Sequence, residues 1–444
     1  MKQAVTAVIT YQNDLFMVKR QNYLRAFPGY HAFPGGKVDH DEADTPIEHP
    51  SLSSFDSRII HALKRELEEE IGFDLFKGLE SGLVKSFHHI GNAVTPKFNV
   101  YRFDTHFFKI VLSEKVNFVI NEGEFSSGEW IDAEKMVDKY HKAQAMMVPP
   151  TVRIIKELAN DIDCIGPFDL SLGIDLEKFV PHIEPIYGIK QFFPLSNTFP
   201  PANRTNCFLI GDDEKYLIDP SPESEMELEK FSNTLKEFEF DSVFLTHHHP
   251  DHHEFSTNIA KVRSVPMSMG KKTHQMILDR FGENYFDGIE IRFFKEGDIL
   301  TKSLGRDIKV FEVPGHDEGQ LALAPDSMEW FLVGDLIQTF GTVVIARPEG
   351  DMAKYFKTMQ RVIDLNPQVV IPSHGIAVGG TFKLVETLKH RKMREGQIVK
   401  LVKLGRSAQE MLPIVYEGLD VSLHPYALMT IESHLVKIKA EGLA

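Results

Sequence analysis

The sequence feature that most constrains this chain is the histidine-rich run THHHPDHH at residues 246–253. In it, His247 and His249 stand two positions apart, and Asp251 directly precedes His252. On a loop that follows a strand, the first pair can bind one metal ion and the second pair another ion close by. Imidazole and carboxylate ligands suit zinc, iron or manganese. Centres of this kind, with positions left open for water, supply hydroxide at neutral pH, so the run predicts a hydrolytic metal site.

Three further segments each end an apolar strand pattern with a ligand-type residue. They are VPGH at 313–316, WFLVGD at 330–335 and VVIPSH at 369–374. A single histidine at such a place is more often a core or surface residue. Several together with the run at 246–253 are hard to explain by chance, so His316, Asp335 and His374 become candidate ligands.

These motifs together resemble the metallo-β-lactamase fold, an αβ/βα sandwich with metals at the sheet edges. The resemblance implies two Zn²⁺, or iron or manganese, and a nucleophilic hydroxide shared by the two metals. Asp219 matches an outer acidic position that orients a ligand histidine, and a glycine is expected where Glu254 and Phe255 stand. The extra histidines His248 and His253 are expected to be exposed or to lie outside the ligand set. By this resemblance metal 1 is held by His247, His249 and His316, metal 2 by Asp251, His252 and His374, Asp335 bridges them, and Asp251 also serves catalysis.

A second candidate site lies on a helix predicted over residues 57–72, where apolar residues recur at spacings of three and four. Glu66, Glu69 and Glu70 fall on one face of this helix, where three carboxylates repel one another. A bridging cation removes that repulsion, and oxygen ligands favour Mg²⁺ or Mn²⁺. A solvated acidic helix face is the alternative interpretation.

The residues around these glutamates resemble the Nudix box, with Gly36 and Glu42 followed later by RELEEEIGF at 65–73. This resemblance implies a mixed sheet sandwiched by helices and hydrolysis of diphosphates linked to a nucleoside or a similar group. It assigns Glu66, Glu69 and Glu70 as metal ligands and catalytic residues. The carbonyl of Gly36 is a further ligand, and Arg65 orients the glutamates.

An insertion at 43–64 separates Glu42 from Arg65, and its role is left open. The interrupted box, together with FPGGKVD at 33–39 and VPPTVR at 148–153, resembles Nudix proteins of the coenzyme A diphosphatase type. That branch implies coenzyme A or an acyl-coenzyme A as substrate. The role of Glu42 stays open for the same reason.

The organisation predicted is a multidomain α/β and α+β protein. We expect a Nudix domain at 1–160, a linker at 161–185, a metallo-β-lactamase-fold domain at 186–380 and a helical tail at 381–444. The tail resembles the winged-helix segment of lactamase-beta-like proteins of the second type, some of which are thought to cut single-stranded RNA, but its β wing is missing. A solvated helix packed on the second domain is an equal alternative.

Composition limits the partners and the compartment. The net charge of −15 argues against a protein that coats nucleic acid or an anionic membrane. The two cysteines, Cys164 and Cys207, provide no disulfide framework. We see no signal peptide and no apolar stretch long enough to span a membrane, so a cytoplasmic location is expected.

The leading hypothesis is a bifunctional metal-dependent hydrolase. One site would cleave a diphosphate and the other a thioester, ester or phosphodiester, with an acyl-coenzyme A as a substrate that would unite them. A metal-dependent endoribonuclease acting on single-stranded RNA is one alternative. A nucleotide-sensing, DNA-binding regulator is another, and homo-oligomerisation is left open.

Overall fold

The computed structural model describes residues 1–99 and 101–443 of the chain. It separates into two compact units. The first consists of Met1–Ile174 with Ile183–Tyr187, and the second of Asp175–His182 with Gly188–Ala444. Among the residues described, no helix has both the length and the apolar character needed to cross a bilayer. The predicted division into four segments stays a prediction.

The first unit is a mixed sheet with helices on both faces. Its elements are β1 (Lys2–Tyr11), β2 (Asp14–Arg20), β3 (His31–Ala32), α1 (Ser57–Ile71), α2 (Leu75–Glu80), β4 (Val84–Val94), β5 (Phe103–Leu112), β6 (Phe125–Asp132), α3 (Ala133–His141) and α4 (Pro149–Asn160). The strand order is β3-β2-β1-β5-β4, and β6 pairs with β2. Only β1 and β5 run parallel among these described pairs.

The alternation of side chains along β1 places helices on both sides of this sheet. Val5, Ala7 and Ile9 pack with α1 and α2, whereas Val8 packs with α3 and α4. Successive strand residues point to opposite faces, so two cores form from one sheet. The expected sandwich is confirmed.

The helix α1 has the ends that its sequence dictates. The Asp56 carboxylate accepts a hydrogen bond from the amide of Arg58 at 2.9 Å. Gly72 closes the helix in the left-handed conformation at φ 66° and donates to the carbonyl of Glu68. Glycine adopts this conformation without a steric penalty, so the helix stops where the pattern predicts.

The insertion before α1 folds back onto the first unit. Leu52 is fully buried in the core that also contains α1. Ser57 donates to the Asp44 carboxylate at 2.6 Å, and Thr45 lies 3.0 Å from His61. The part of the insertion that precedes α1 is therefore packed against this helix and hydrogen-bonded to it.

The second unit contains two mixed sheets, each with helices on one face. β7 (His182–Ile186) begins at a residue of the second unit and continues in the first. The elements of the second unit that follow it are β8 (Ile189–Phe192), β9 (Cys207–Ile210), β10 (Tyr216–Ile218), α5 (Glu225–Leu235), β11 (Ser242–Leu245), α6 (Pro250–His253), α7 (Ser256–Arg263), β12 (Met267–Met269), α8 (Lys271–Phe281), β13 (Ile291–Phe293), β14 (Ile299–Ser303), β15 (Arg306–Glu312), β16 (Leu321–Pro325), β17 (Phe331–Gly334), α9 (Met352–Leu365), β18 (Val369–Pro372), β19 (Val378–Gly379), α10 (Phe382–Lys403), α11 (Ala408–Val415) and α12 (His424–Ala440). A short 3₁₀ turn, Val421–Leu423, precedes α12.

The two sheets of this unit have the orders β13-β12-β11-β10-β9-β8 and β14-β15-β16-β17-β18-β19. Residues of α5, α7 and α8 pack on the first sheet, and residues of α9 and α10 pack on the second. The layers therefore follow the αβ/βα sandwich that the sequence predicts.

The described part of the C-terminal tail, residues 381–443, consists of helices joined by turns, with no strand in that range. Buried residues of α10, α11 and α12 form its core. Ser407 and Glu410 form a capping box at the start of α11. The tail thus has the helices expected and no β wing among these residues.

Candidate metal centres

The histidine-rich run follows a fully buried strand. All residues of β11 are buried, and the strand is parallel to β10 on one side and β12 on the other. Because the carboxyl ends of parallel strands meet at one sheet edge, the run projects from that edge. His249 then precedes Pro250, which starts the short helix α6. Proline is favoured there because the first helical residue needs no amide donor.

Three imidazoles meet at the position predicted for metal 1. Nδ1 of His249 lies 3.0 Å from Nε2 of His247 and 2.9 Å from Nε2 of His316. His247 and His316 are buried, and His249 is partly exposed. Burial lowers the pKa of His316 to about 4 and that of His247 well below its usual value. Both side chains are therefore held neutral, the form in which imidazole binds a metal.

The residues predicted for metal 2 lie beside this group. One ligand atom each of Asp251, His252 and His374 falls within 4.8 Å of the others. Nε2 of His374 is 3.6 Å from Oδ2 of Asp251. The spacing matches the second half of a dinuclear site.

Asp335 lies between the two groups. Its Oδ2 is 3.6 Å from Nε2 of His316 and 3.3 Å from Nε2 of His374, and its Oδ1 is 3.5 Å from Nε2 of His252. Burial acts to raise the pKa of this carboxyl, but His374 and His252 outweigh burial and hold it well below its usual value. The carboxylate is thus ionised and placed to bridge two cations.

Two atoms of this cluster show that its residues fit a divalent ion. Among the described residues, Nε2 of His252 and Oδ1 of Asp335 are buried and have no hydrogen-bond partner. Buried polar atoms without partners are costly. A divalent cation at the point they face would satisfy both.

The second nitrogen of each ligand imidazole is held from outside the cluster. Oδ2 of Asp219 lies 2.9 Å from Nδ1 of His252, and the same carboxylate accepts from the amide and the hydroxyl of Thr246. The remaining contacts are His247 Nδ1 with the Thr246 hydroxyl (3.1 Å), His316 Nδ1 with the Val344 carbonyl (2.9 Å), His374 Nδ1 with the Arg204 carbonyl (2.9 Å) and His249 Nε2 with Glu349 (3.4 Å). Such contacts fix ring orientation and tautomer.

Sequence reasoning missed a buried group beside metal 1. His248 was expected either to be exposed or to lie outside the ligand set. It is 1% exposed, so the first expectation is not met. Its ring pairs with Asp317 on one side and lies 3.1 Å from Glu349 on the other. Burial acts to lower the pKa of His248, but these two carboxylates raise it to about 9. Asp317 adjoins His316 in sequence, but no sequence signal links Glu349 to this site.

The residues after the run explain why glycine was expected there. Phe255 has φ 58°, the left-handed conformation that favours glycine. Glu254 accepts a hydrogen bond from Asn197 at 2.7 Å. His253 is buried and lies 2.7 Å from the Tyr285 hydroxyl, outside the ligand cluster.

On α1, Glu66 and Glu70 lie against the loop that contains Gly35 and Gly36. The amide of Gly35 donates to Oε2 of Glu70 at 2.6 Å. A Cβ atom on Gly36 would lie 2.3 Å from the Glu66 carboxylate, so a larger residue there would displace that carboxylate. The carbonyl of Gly36, the predicted ligand, accepts from the amide of Val5 at 2.9 Å.

Glu69 differs from its neighbours. Its side chain is 58% exposed, against 13% for Glu66, and it pairs with Arg65 at 3.2 Å. Unlike the histidine groups, the three glutamates do not form a cluster whose ligand oxygens all lie within 4.8 Å of one another. The structure therefore brings Glu66 and Glu70 to the loop and leaves Glu69 at the rim.

Arg65 joins the parts of the interrupted box. Its guanidinium donates to Glu42 at 3.0 Å, to Glu66 at 2.9 Å and to the carbonyl of Lys37 at 2.9 Å. The insertion therefore does not separate Glu42 from Arg65 in space. These contacts agree with the orienting role predicted for Arg65.

A fourth carboxylate, Glu124, acts electrostatically on this group, and sequence reasoning missed it. Burial, with a smaller contribution from the charges of Glu66 and Glu124, raises the pKa of Glu70 to about 9, although the Gly35 amide acts in the opposite direction. Glu124 precedes β6, far from α1 in the sequence, so no local pattern pointed to it. A cation among these carboxylates would offset both burial and repulsion, so the residues fit a divalent metal.

Comparison with known proteins finds a different family in each half of the chain. The NUDIX domain family model matches residues 1–150, and the metallo-beta-lactamase superfamily model matches residues 200–374. The chain is 26% identical to the beta-lactamase-like protein 2 homolog of Drosophila melanogaster over 256 residues, which is 54% of this chain and 83% of that protein. It is 26% identical to hydroxyacylglutathione hydrolase GloC of Haemophilus influenzae over 187 residues, or 39% and 87% of the two chains.

A solved structure also shares the fold of the second unit. The crystal structure of a beta-lactamase domain protein from Burkholderia ambifaria aligns with a TM-score of 0.51 and 19% identity. The alignment covers 61% of this chain and 92% of that one.

Proposed function

Because the chain joins an N-terminal NUDIX domain to a metallo-beta-lactamase superfamily domain, we propose that it is a hydrolase in which each domain carries its own metal-dependent site. The second site would hydrolyse a thioester, ester or phosphodiester. The first would cleave a diphosphate linkage. The observation that carries the proposal is the convergence of Asp335 with two groups of ligand atoms at one sheet edge.

In the second unit, we assign each residue the role that its position supports. His247, His249 and His316 would hold metal 1, and Asp251, His252 and His374 would hold metal 2. Divalent ions bound there would lower the pKa of water and polarise the attacked carbonyl or phosphoryl group. Asp335 would join the two halves, and Asp251 would also orient the attacking water. Asp219 would hold His252 from outside.

In the first unit, Glu66 and Glu70 would bind Mg²⁺ or Mn²⁺ with the Gly36 carbonyl, and Glu69 would complete the set from the rim. Arg65 orients Glu66 and Glu42 through its guanidinium. Glu124, whose charge acts on both Glu66 and Glu70, would add a further carboxylate to this group. The native ions of both sites are part of this proposal.

An acyl-coenzyme A is the substrate that would use both sites. Its thioester suits the second site and its diphosphate the first. Two observations support it: the interrupted box resembles the coenzyme A diphosphatase pattern, and proteins similar to the second domain are named hydroxyacylglutathione hydrolases.

The experiment is product analysis after mixing full-length protein with acetyl-coenzyme A, Mg²⁺ and Zn²⁺. We expect free thiol from the second site and a phosphopantetheine product from the first. Asp251→Ala should abolish thiol release only, and Glu70→Gln should abolish diphosphate cleavage only. Two exposed carboxylates give matched controls, Asp279→Ala and Glu68→Ala, which should keep both products.

Failure to form either product would overturn the coenzyme A assignment. A panel of other thioesters, nucleoside diphosphate derivatives and single-stranded RNA, run on the same variants, would then assign a substrate to each site. If Asp251→Ala lost no activity on any of them, the dinuclear site itself would be wrong.

RNA is the second candidate for the site in the second unit. The exposed basic side chains of Lys389, His390 and Lys392 in the tail favour an anionic partner. The net charge of −15 opposes it. If RNA is the substrate, cleavage requires His249 and does not require Glu69.

A further inference from the structure

Two helices of the C-terminal tail hold one loop segment of the second unit. This anchor segment, residues 343–349, follows β17 and precedes α9. Arg391 in α10 donates to the carbonyl of Val343, and Ser433 in α12 donates to the carbonyl of Ile345 at 2.7 Å. Both donors are 2% exposed, so these contacts are shielded from water.

The anchor segment in turn contacts two of the proposed metal 1 ligands. The carbonyl of Val344, between the two residues that the tail holds, lies 2.9 Å from Nδ1 of His316. Glu349, at the end of the segment, lies 3.4 Å from Nε2 of His249. The tail therefore binds the residues on both sides of Val344, whose carbonyl fixes the orientation of the imidazole of a proposed ligand.

The burial of Arg391 points to a role in this chain of contacts. A buried guanidinium is costly unless it is paired with an acid. No carboxylate lies within ion-pair distance of Arg391 among the described residues. Its neighbours in the basic run, Lys389, His390 and Lys392, are exposed instead. Arg391 instead donates to the Val343 carbonyl, and its guanidinium lies 5.7 Å from the ring centre of Tyr355.

Tyr355, whose ring lies near the Arg391 guanidinium, also contacts the residues next to Asp335 and His316. Its hydroxyl donates to the carbonyl of Leu336, the residue after Asp335, at 2.7 Å. Its backbone lies so close to Gly315 that a Cβ there would be 2.3 Å from the Tyr355 Cα. Gly315 precedes His316, so α9 and the tail confine the metal 1 ligand from two directions.

We propose that the tail is a structural part of the metal centre, with Arg391 and Ser433 as positioning residues that fix the anchor segment and through it the imidazoles of His316 and His249. This inference rests on the metal-ligand role proposed above for those histidines. Loss of either donor would leave the segment free to shift, and the ring of His316 would lose its fixed orientation. Outer contacts of this kind typically change metal affinity by about 10- to 100-fold.

The test uses the full-length protein and measures metal binding directly. Zinc affinity is determined by competition with a chromophoric chelator, and the geometry of metal 1 is followed by the visible absorption of the Co²⁺-loaded protein. For Arg391→Met and Ser433→Ala we expect one of two ions to bind roughly 10- to 100-fold more weakly, with a changed Co²⁺ spectrum. Arg391→Lys, which keeps a charged donor, should recover part of the affinity.

The control is Lys400→Met, an exposed residue of the same helix, which should leave affinity and spectrum unchanged. Ser433→Ala removes a single oxygen, so it tests the proposal even if Arg391→Met fails to fold. If Arg391→Met folds, wild-type affinity and spectrum in both variants would overturn the positioning role. If Arg391→Met does not fold, wild-type affinity and spectrum in Ser433→Ala alone would overturn it.

His316→Ala separates this inference from the proposed function. If His316→Ala loses one ion while both tail variants keep two, only the role of the tail is wrong. If His316→Ala also keeps both ions, the ligand assignment itself is wrong.

Discussion

Asp219 and His252 are joined by a contact of 2.9 Å between Oδ2 and Nδ1, and the same carboxylate binds the amide and the hydroxyl of Thr246. Asp219 directly follows β10 and Thr246 directly follows β11, two parallel neighbours. One carboxylate therefore fixes both the start of the histidine-rich run and the ring of a proposed metal 2 ligand. This relationship follows from strand pairing, because each strand supplies one partner at the same sheet edge.

Replacing Asp219 by asparagine should weaken the binding of one of the two zinc ions by about 10- to 100-fold. The amide has a single, uncharged acceptor oxygen, so it cannot bind both Thr246 and His252 as the carboxylate does. Asparagine suits the positive φ of 50° at this position, so backbone strain is not added. Chelator competition measures the loss. Asp241→Asn, at the other end of β11, is the control, and equal affinity in both variants would remove Asp219 from the metal centre.

Gly36→Ala should abolish metal binding at the box helix and leave the histidine centre intact. The added Cβ would lie 2.3 Å from the Glu66 carboxylate, which must then move away from the loop. Mn²⁺ binding followed by electron paramagnetic resonance and diphosphate cleavage are the readouts. Gly396→Ala, where nothing lies within 4 Å of the added atom, should keep both. Unchanged Mn²⁺ binding in Gly36→Ala would contradict the role of this loop.

Acid should destabilise the first unit through His31. Burial, assisted by Lys19 and Lys139, lowers the pKa of His31 to about 4. The unfolded chain, with an ordinary pKa near 6.5, binds the proton first as the pH falls. Stability from this group is therefore complete above about pH 6.5 and decreases steadily down to about pH 4, by at most about 3 kcal/mol.

Urea unfolding of the first unit between pH 4 and pH 7 measures this effect. His31→Gln should flatten the dependence, and His40→Gln, at an exposed position, should not. A pH dependence that is the same in both variants would show that His31 does not titrate as its burial requires.

Leu52→Ala should reduce the free energy of unfolding of the first unit by about 2–5 kcal/mol, the usual cost of a cavity left by a buried leucine. Leu52 lies in the insertion but is fully buried in the core that includes α1. Ser54→Ala, at an exposed position nearby, should change stability by less than about 0.5 kcal/mol. A similarly small effect of Leu52→Ala would mean that the insertion is a loose loop.

Much of the fold and of the second site could be predicted because their signals are local. The proposed ligands from 247 to 252 stand within one run, and His316, Asp335 and His374 each follow a recognisable strand. The helix α1 could be placed because its apolar spacing and Gly72 are both visible in the sequence. Strand ends then meet at one edge, which brings distant ligands together.

The contacts that hold these ligands could not be predicted in the same way. Val344 acts through a backbone carbonyl, which every residue possesses, and it is 28 positions from His316. Glu349 and Glu124 reach their sites from loops, so no periodic pattern marks them. The burial of Arg391 within a basic run also depends on tertiary packing, since its exposed neighbours have the same charge.

The dinuclear centre of the second unit is the central claim, and its most direct test is the metal content of the purified chain by elemental analysis. Protein dialysed against metal-free buffer should retain about two ions of zinc, iron or manganese per chain, as a centre with these ligands requires. Asp251→Ala should retain about one. A wild-type chain that holds no tightly bound ion after loading with these metals, with Asp251→Ala indistinguishable from it, would contradict the claim.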